Sequence, residues 1–396
     1  MAPIAGMGRR AFRHKESDRH GQGCLTITKE RTISRPNKLR ILFIARRFPP
    51  SVGGIQRHCF QLHERLAATR DVRLVALGHQ PLAHLLWFLP YAFLVALIAV
   101  LLRRVDVVYL ADGVAGAMAP LLRICGPARL VVTIYALEMT YGNLLARGVM
   151  KRGALSCHRV VAISKYSRQL ALEAGIPAER IEVIYVGIEP MMLTAPRCQE
   201  LAAQFEAEHD LRFGRDRVLL NFGRLIPRKG VAAFVENGMP LLDPEIKLVV
   251  CGGGPDFERI ADLRVRLGLQ DRFVLVGPQS DEIFAMLRQK ADLFLFPNVP
   301  TPHDAEGFGM TQLESMYAGL PVVAFAVDAI TESVREGGYL IEPNDYRGFV
   351  DKIHQFYRLS ESDKEAKRRE ATEYVHREYS WDLTAARYLE ILEGRR

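Results

Sequence analysis

Short, uninterrupted apolar runs alternate with longer stretches of helical periodicity along nearly the whole chain. The first run, residues 39–45 (LRILFIA), is followed by the loop RRFPPSVGG and the amphipathic stretch IQRHCFQLHERLAA. Runs at 72–77, 105–110, 130–134, 160–163 and 183–186 continue the series, which ends near the proline-marked stretch 190–196. A second series begins at 218–222 and continues at 247–251, 273–276, 293–296 and 321–325. Apolar runs of this kind, spaced by helices, predict parallel strands buried on both faces. The chain therefore reads as α/β, with two Rossmann-like, doubly wound parallel sheets, and its 396 residues suffice for both. Open α/β sheets bind ligands beyond the carboxyl ends of their strands, so the expected site lies in a cleft that both domains face. The boundaries read as a leader at 1–38, a first domain at 39–196, a second at 197–376 and a last helix at 377–396.

One stretch breaks the alternation. Residues 85–102 (LLWFLPYAFLVALIAVLL) carry no charge over 18 positions and are closed by Arg103 and Arg104. By length this approaches a membrane span, which needs roughly 20 apolar residues. A span would put the runs at 39–45 and 105–110 on opposite sides of a bilayer, although both should share one sheet. Pro90 interrupts the stretch, and Trp87 and Tyr91 suit a membrane–water interface. The expectation is a helix lying in one leaflet, at the inner face of a membrane. A crossover helix buried on all sides is the alternative.

The net charge of +8 is unevenly placed. Residues 1–38 hold nine Lys or Arg against three acids without hydrophobic periodicity, and read as a disordered leader. It lacks the apolar core of a secretory signal, so a cytoplasmic location is expected. Such a tail either favours an anionic membrane surface or has no role. Nucleic acid is not an expected partner, because no aromatic stacking pattern accompanies the charge. Cys24, Cys59, Cys125, Cys157, Cys198 and Cys251 are scattered without metal-ligand spacing.

The densest chemistry lies in residues 304–323, DAEGFGMTQLESMYAGLPVV. Gly307 and Gly309 flank Phe308 and let the backbone approach a ligand closely. A helix opening at Met310 and Thr311 offers free N–H groups and the positive end of a dipole to a phosphate. Glu306 and Glu314, on either side, would repel a bare phosphate; they make chemical sense accepting hydrogen bonds from sugar and ribose hydroxyls. Upstream, Arg224 and Lys229 stand five apart in GRLIPRKG, where a guanidinium fork and an ammonium can clamp a diphosphate. Arg228, adjacent to Lys229, is left without a role. Gly253 and Gly254 in VVCGGGPD do not complete a G-x-G-x-x-G fingerprint; closure onto a nucleotide and ordinary turn chemistry both fit them. Gly53 and Gly54 open the first helix of the chain and can turn backbone N–H groups toward a donor.

These motifs resemble the EX7E signature of retaining GT-B glycosyltransferases, in particular family 4, and the resemblance runs from about residue 39 to residue 392. It implies transfer of a sugar from a nucleotide-diphosphate sugar to a lipid-linked or glycan acceptor, with retention, in polysaccharide biosynthesis. It implies no cofactor beyond the donor and no metal, and the D-x-D motif of metal-dependent GT-A enzymes is absent from the chain. By the same resemblance Arg224, Lys229 and Glu306 are the catalytic residues. Gly53, Gly54, Gly253, Gly254, Gly307, Phe308, Gly309, Met310, Thr311 and Glu314 are the donor-binding ones. The last helix is expected to cross back to the first domain.

The chain also departs from the family. Where the family commonly places His after a strand such as LVVTI, this chain has Tyr135. With an ordinary pKa of about 10, Tyr is a poor base at neutral pH, which leaves the acceptor proton to the departing phosphate. Tyr135 and Glu138 are then the expected acceptor-side residues. After PVVAF the family's Gly-Gly turn is replaced by VDAITE, which retains Glu332, and Ser164 reads as a helix cap. Two rival readings remain: an epimerase or hydrolase on the same scaffold, which would turn over donor alone, and a non-catalytic membrane-associated paralogue.

Overall fold

The computed structural model describes residues 38–395, apart from 52, 79–81 and 302–303, so the basic leader lies outside the described residues except for Lys38. Strands β1 (Arg40–Ala45), β2 (Asp71–Ala76), β3 (Val107–Leu110), β4 (Arg129–Ile134), β5 (Arg159–Ala162) and β6 (Ile181–Val183) form one sheet. Its order is β2-β1-β3-β4-β5-β6 and every pairing is parallel. The apolar run of β1 after Arg40 is explained by burial on both faces. Leu42 and Ile44 pack toward the helix Leu85–Leu101, while Ile41, Phe43 and Ala45 pack toward the helix Gly54–Ala67.

A second parallel sheet follows: β7 (Arg217–Phe222), β8 (Ile246–Cys251), β9 (Phe273–Val276), β10 (Leu293–Phe296), β11 (Val322–Phe325) and β12 (Gly338–Ile341). Its order is β12-β11-β10-β7-β8-β9. Two details differ from the sequence reading. The apolar run at 183–186 contributes only its start to β6; Ile184, Val186 and Ile188 are buried in the connection between the domains. Strand β12 lacks a continuous apolar run because it is a half-exposed edge.

The last helix, Trp381–Glu393, returns to the first domain. Trp381, Tyr388, Ile391 and Leu392 pack on the face of the first sheet that carries Phe43 and Tyr109. The Ile188 N–H donates to the Tyr379 carbonyl at 2.8 Å where the two connections cross.

The uncharged stretch forms the helix Leu85–Leu101, with Pro90 inside it. No helix among the described residues is long and apolar enough to cross a membrane. Both of its faces are apolar. Phe88, Ala92, Ala96, Ala99 and Val100 are buried against the first sheet. Leu86, Leu94, Ile98 and Leu101 form an exposed stripe at helical spacing, with Leu86 82% exposed. Beside it lie the helices Ala119–Cys125, exposing Leu121 and Ile124, and Leu144–Ser156, exposing Leu144, Leu145 and Val149. Arg103, Arg104, Arg123 and Arg152 are exposed on the same three helices or just after them.

Candidate active site

Each sheet reverses its direction of growth once, at β1 in the first and β7 in the second. The crevice at such a reversal is where open α/β sheets hold ligands. The loops leaving β1, β3, β7 and β10 there carry Arg46 and Arg47, Asp112 and Gly113, Gly223 and Arg224, and Pro297 and Asn298.

Glu306 is anchored by one oxygen. Its Oε2 accepts hydrogen bonds from Lys229 Nζ at 2.6 Å, from Asn298 Nδ2 at 2.8 Å and from the Arg228 guanidinium. No donor among the described residues engages Oε1. The Glu306 N–H donates to Asp328 Oδ2 at 2.8 Å, which fixes the backbone of the loop. Burial alone would raise this carboxyl, but Lys229 and then Arg228 outweigh it and hold it at about 2. Burial lowers Lys229, with Glu306 opposing. Three donors on one oxygen fit a carboxylate, and we take the pair as charged. Arg228 also meets Asp304 at 3.2 Å.

Arg224 is different. It is exposed at the start of its loop, and its guanidinium makes no hydrogen bond or ion pair among the described residues. Its loop rests on the glycine run: Leu225 N–H donates to the Gly253 carbonyl at 2.9 Å, and Asp256 N–H to the Leu225 carbonyl at 3.0 Å. A Cβ on Gly252 or Gly254 would run into the carbonyl oxygens of Gly223 and Leu225. Gly253 and Gly254 therefore sit beneath the loop that presents Arg224.

Gly309, at φ 75°, turns the chain into the helix Met310–Tyr317. The first N–H groups of a helix have no intrahelical partner, and the buried Thr311 hydroxyl beside them has none either. Across the cleft, a Cβ on Gly54 would stand 2.7 Å from Met310 Sδ, so the Gly53–Gly54 turn abuts the start of this helix. Glu314, on the same helix, meets a guanidinium at each oxygen: Arg57 Nη1 at 2.7 Å from Oε1 and Arg288 Nη1 at 3.3 Å from Oε2.

Three of the expected residues turn their side chains away from the cleft. Phe308 is buried, stacked on Tyr185 at 5.8 Å and edge-on to Tyr379 at 5.6 Å, so its ring packs where the chain crosses between domains. The Tyr135 hydroxyl lies 4.0 Å from Cys59 Sγ beneath the helix Gly54–Ala67, and burial pushes the phenol well above its usual value. What Tyr135 presents to the cleft is its carbonyl: a Cβ on Gly307 would stand 2.5 Å from it. Glu138 accepts from the Tyr135 N–H at 2.9 Å and the Gly113 N–H at 3.3 Å, tying together the loops after β3 and β4. With both oxygens engaged by backbone, it braces these two loops. Ser164 caps the helix Lys165–Glu173 through the Ser167 N–H at 2.9 Å.

Four residues of the site escaped the sequence reading: Arg57, Arg228, Arg288 and Asn298. Arg228 had a signal, the Arg-Lys pair after Pro227, but the choice between the two cations depends on the 3-10 turn Pro227–Lys229. Nothing local marks Arg57, whose partner lies 257 residues away.

Two facing doubly wound domains with a cation-rich cleft and a helix N-terminus define a GT-B glycosyltransferase. Two family models match the chain, Glycosyltransferase Family 4 over residues 52–191 and Glycosyl transferases group 1 over residues 204–373. The chain belongs to this family: it is a GT-B glycosyltransferase of family 4 type, transferring a sugar from a nucleotide-sugar donor. Among its relatives is a GDP-mannose-dependent alpha-(1-6)-phosphatidylinositol monomannoside mannosyltransferase of Mycobacterium tuberculosis, 25% identical over 385 residues, covering 90% of this chain and 98% of the relative. A D-inositol 3-phosphate glycosyltransferase of Thermomonospora curvata is 30% identical over 253 residues, 60% of this chain and 57% of that one. Of solved structures, Anabaena HepE in complex with UDP matches with a TM-score of 0.73 and 19% identity, over 90% of this chain and all 100% of that one. Sucrose-phosphate synthase from Thermosynechococcus elongatus matches with a TM-score of 0.70 and 20% identity, over 90% and 98% of the two chains.

Proposed function

We propose that the protein transfers a hexose, with retention of anomeric configuration and without a metal, from a nucleotide-diphosphate sugar to a lipid-linked acceptor at a membrane surface. The observation that carries the reading is the one-sided anchoring of Glu306. Lys229, Arg228 and Asn298 fix Oε2, so Oε1 is aimed and available for the hydroxyls of the transferred sugar. Arg224, Lys229 and the opening of the helix Met310–Tyr317 supply positive charge to the leaving diphosphate, the role that elsewhere falls to a divalent ion. Glu314 receives the ribose. With the Tyr135 phenol turned inward and the Glu138 carboxylate held by backbone, neither serves as base. The departing phosphate takes the acceptor proton, as a front-face retaining transfer requires.

A lipid acceptor is supported by two features. The phosphatidylinositol monomannoside mannosyltransferase aligns over nearly the full length. The exposed leucine stripe of Leu85–Leu101, continued by Leu121, Ile124, Leu144 and Leu145 and flanked by arginines, suits an anionic bilayer surface. The test is to incubate the full chain with UDP- and GDP-hexoses and vesicles containing phosphatidylinositol or its mannosides, in EDTA. An α-linked glycolipid from an α-linked donor is expected, at an EDTA-independent rate. An inverted product, a strict metal requirement, or turnover of donor alone would contradict the corresponding part of the reading.

A further inference from the structure

Glu306 and Glu314 differ in how much of each carboxylate is open to a ligand. Glu306 keeps Oε1 open, whereas both oxygens of Glu314 are engaged, one by each domain. Arg288, on the helix Asp281–Lys290 of the same domain, is 3% exposed and its guanidinium faces the Phe222 ring at 5.5 Å. It is a fixed partner. Arg57 comes from the helix Gly54–Ala67 of the other domain, and its side chain is 40% exposed. A second carboxylate also lies within its reach, Asp281 Oδ1 at 3.6 Å from Nη2.

Resting on the reading that Glu314 receives the ribose, we propose that Arg57 is a further residue of the donor site: it competes with the ribose hydroxyls for Glu314 Oε1. When the ribose takes that oxygen, Arg57 releases it and stays with Asp281, at the first residue of the neighbouring helix. The exchange is local, because one guanidinium already addresses both acids. It makes nucleotide affinity depend on a first-domain side chain that lies outside the signature motif. It also eases release of the nucleoside diphosphate, since a competing cation waits beside the carboxylate the ribose must leave. Arg57 is thus a positioning residue that sets donor affinity through Glu314, distinct from the groups addressing the diphosphate.

Calorimetric titration of the full chain and of Arg57→Gln with UDP and GDP, and with their 2′,3′-dideoxy counterparts, tests this. For the nucleotide that the unaltered protein binds, Arg57→Gln should tighten the ribonucleotide about fivefold and leave the dideoxy form unchanged. Equal tightening of both forms would show that Arg57 acts on the nucleotide's charge and not on the ribose contact. Unchanged or weaker ribonucleotide binding would make it a bystander or a direct ligand. Each of these overturns the proposal. Arg57→Lys, which keeps the charge and loses the fork, should fall between the two and serves if the Gln variant does not fold. Glu314→Ala separates the proposal from the reading beneath it. If that variant still prefers ribose to dideoxyribose as strongly as the unaltered protein, Glu314 does not receive the ribose at all. If the preference disappears but Arg57→Gln has no effect, only the competition fails.

Discussion

Glu332 of the second domain accepts a hydrogen bond from the backbone N–H of Lys165 in the first, Oε2 at 2.8 Å, while its Oε1 takes the Tyr166 N–H at 3.0 Å. A carboxylate of one domain thus caps the helix Lys165–Glu173 of the other, and the Tyr185 hydroxyl adds a third bond at 3.2 Å. Glu332→Ala should lower stability by about 1–2 kcal/mol in urea unfolding and enlarge the radius of gyration in small-angle scattering. An unchanged radius and midpoint would show that the domains are held together elsewhere.

A close backbone approach across the cleft gives a sharper prediction. A methyl group at Gly307 would stand 2.5 Å from the Tyr135 carbonyl, backbone against backbone, and one domain must shift to admit it. Gly307→Ala should reduce transfer at least tenfold with little change in melting temperature, on the order expected when reacting groups are displaced by about 1 Å. Gly148→Ala is the control. Nothing lies within 4 Å of a methyl there, inside the helix Leu144–Ser156. It should stabilise the protein by about 0.5–1 kcal/mol and leave transfer intact.

The alternation of apolar runs was enough to read two parallel sheets, because β1, β3, β4, β7, β8 and β10 are buried on both faces and carry few polar residues to blur the pattern. That Lys229 and Glu306 lie in one cleft with Glu314 could be anticipated because all three sit in short local motifs that follow β7 and β10. Side-chain direction was not. Tyr135 and Phe308 stand at cleft positions in the sequence, yet hydrophobic burial draws both rings away from the cleft, and only a backbone carbonyl and a glycine meet there. The roles of Arg228 and Arg57 depend on partners 78 and 257 residues away, which no local pattern encodes.

The helix Leu85–Leu101 presents two apolar faces with different fates. Ile98→Glu places a charge on the exposed stripe and should abolish flotation with anionic vesicles without lowering the melting temperature. Ala96→Glu places the same charge against the first sheet and should unfold the domain, since Ala96 is fully buried. Wild-type flotation of the Ile98 variant would show that this stripe does not meet the membrane.

The buried cluster around Glu306 has a pH signature. Its folded carboxyl is held at about 2, below the unfolded value of about 4.5. The stability it contributes is therefore present above the unfolded value and is lost as pH falls toward the folded one. Arg228→Leu removes one counter-charge and should cost about 3 kcal/mol near neutral pH. The cost should shrink when unfolding is measured near pH 3.5, where the less compensated carboxyl can protonate. A penalty independent of pH would mean that Arg228 contributes packing rather than charge.

In the proposed reaction Glu306 holds the transferred sugar through the oxygen that Lys229, Arg228 and Asn298 leave open. Transfer kinetics of Glu306→Gln, alongside its affinity for the nucleoside diphosphate, test it most directly. The expected result is a fall in kcat of about 100-fold or more with nucleotide affinity within about twofold of the unaltered protein. Transfer at the unaltered rate would contradict it.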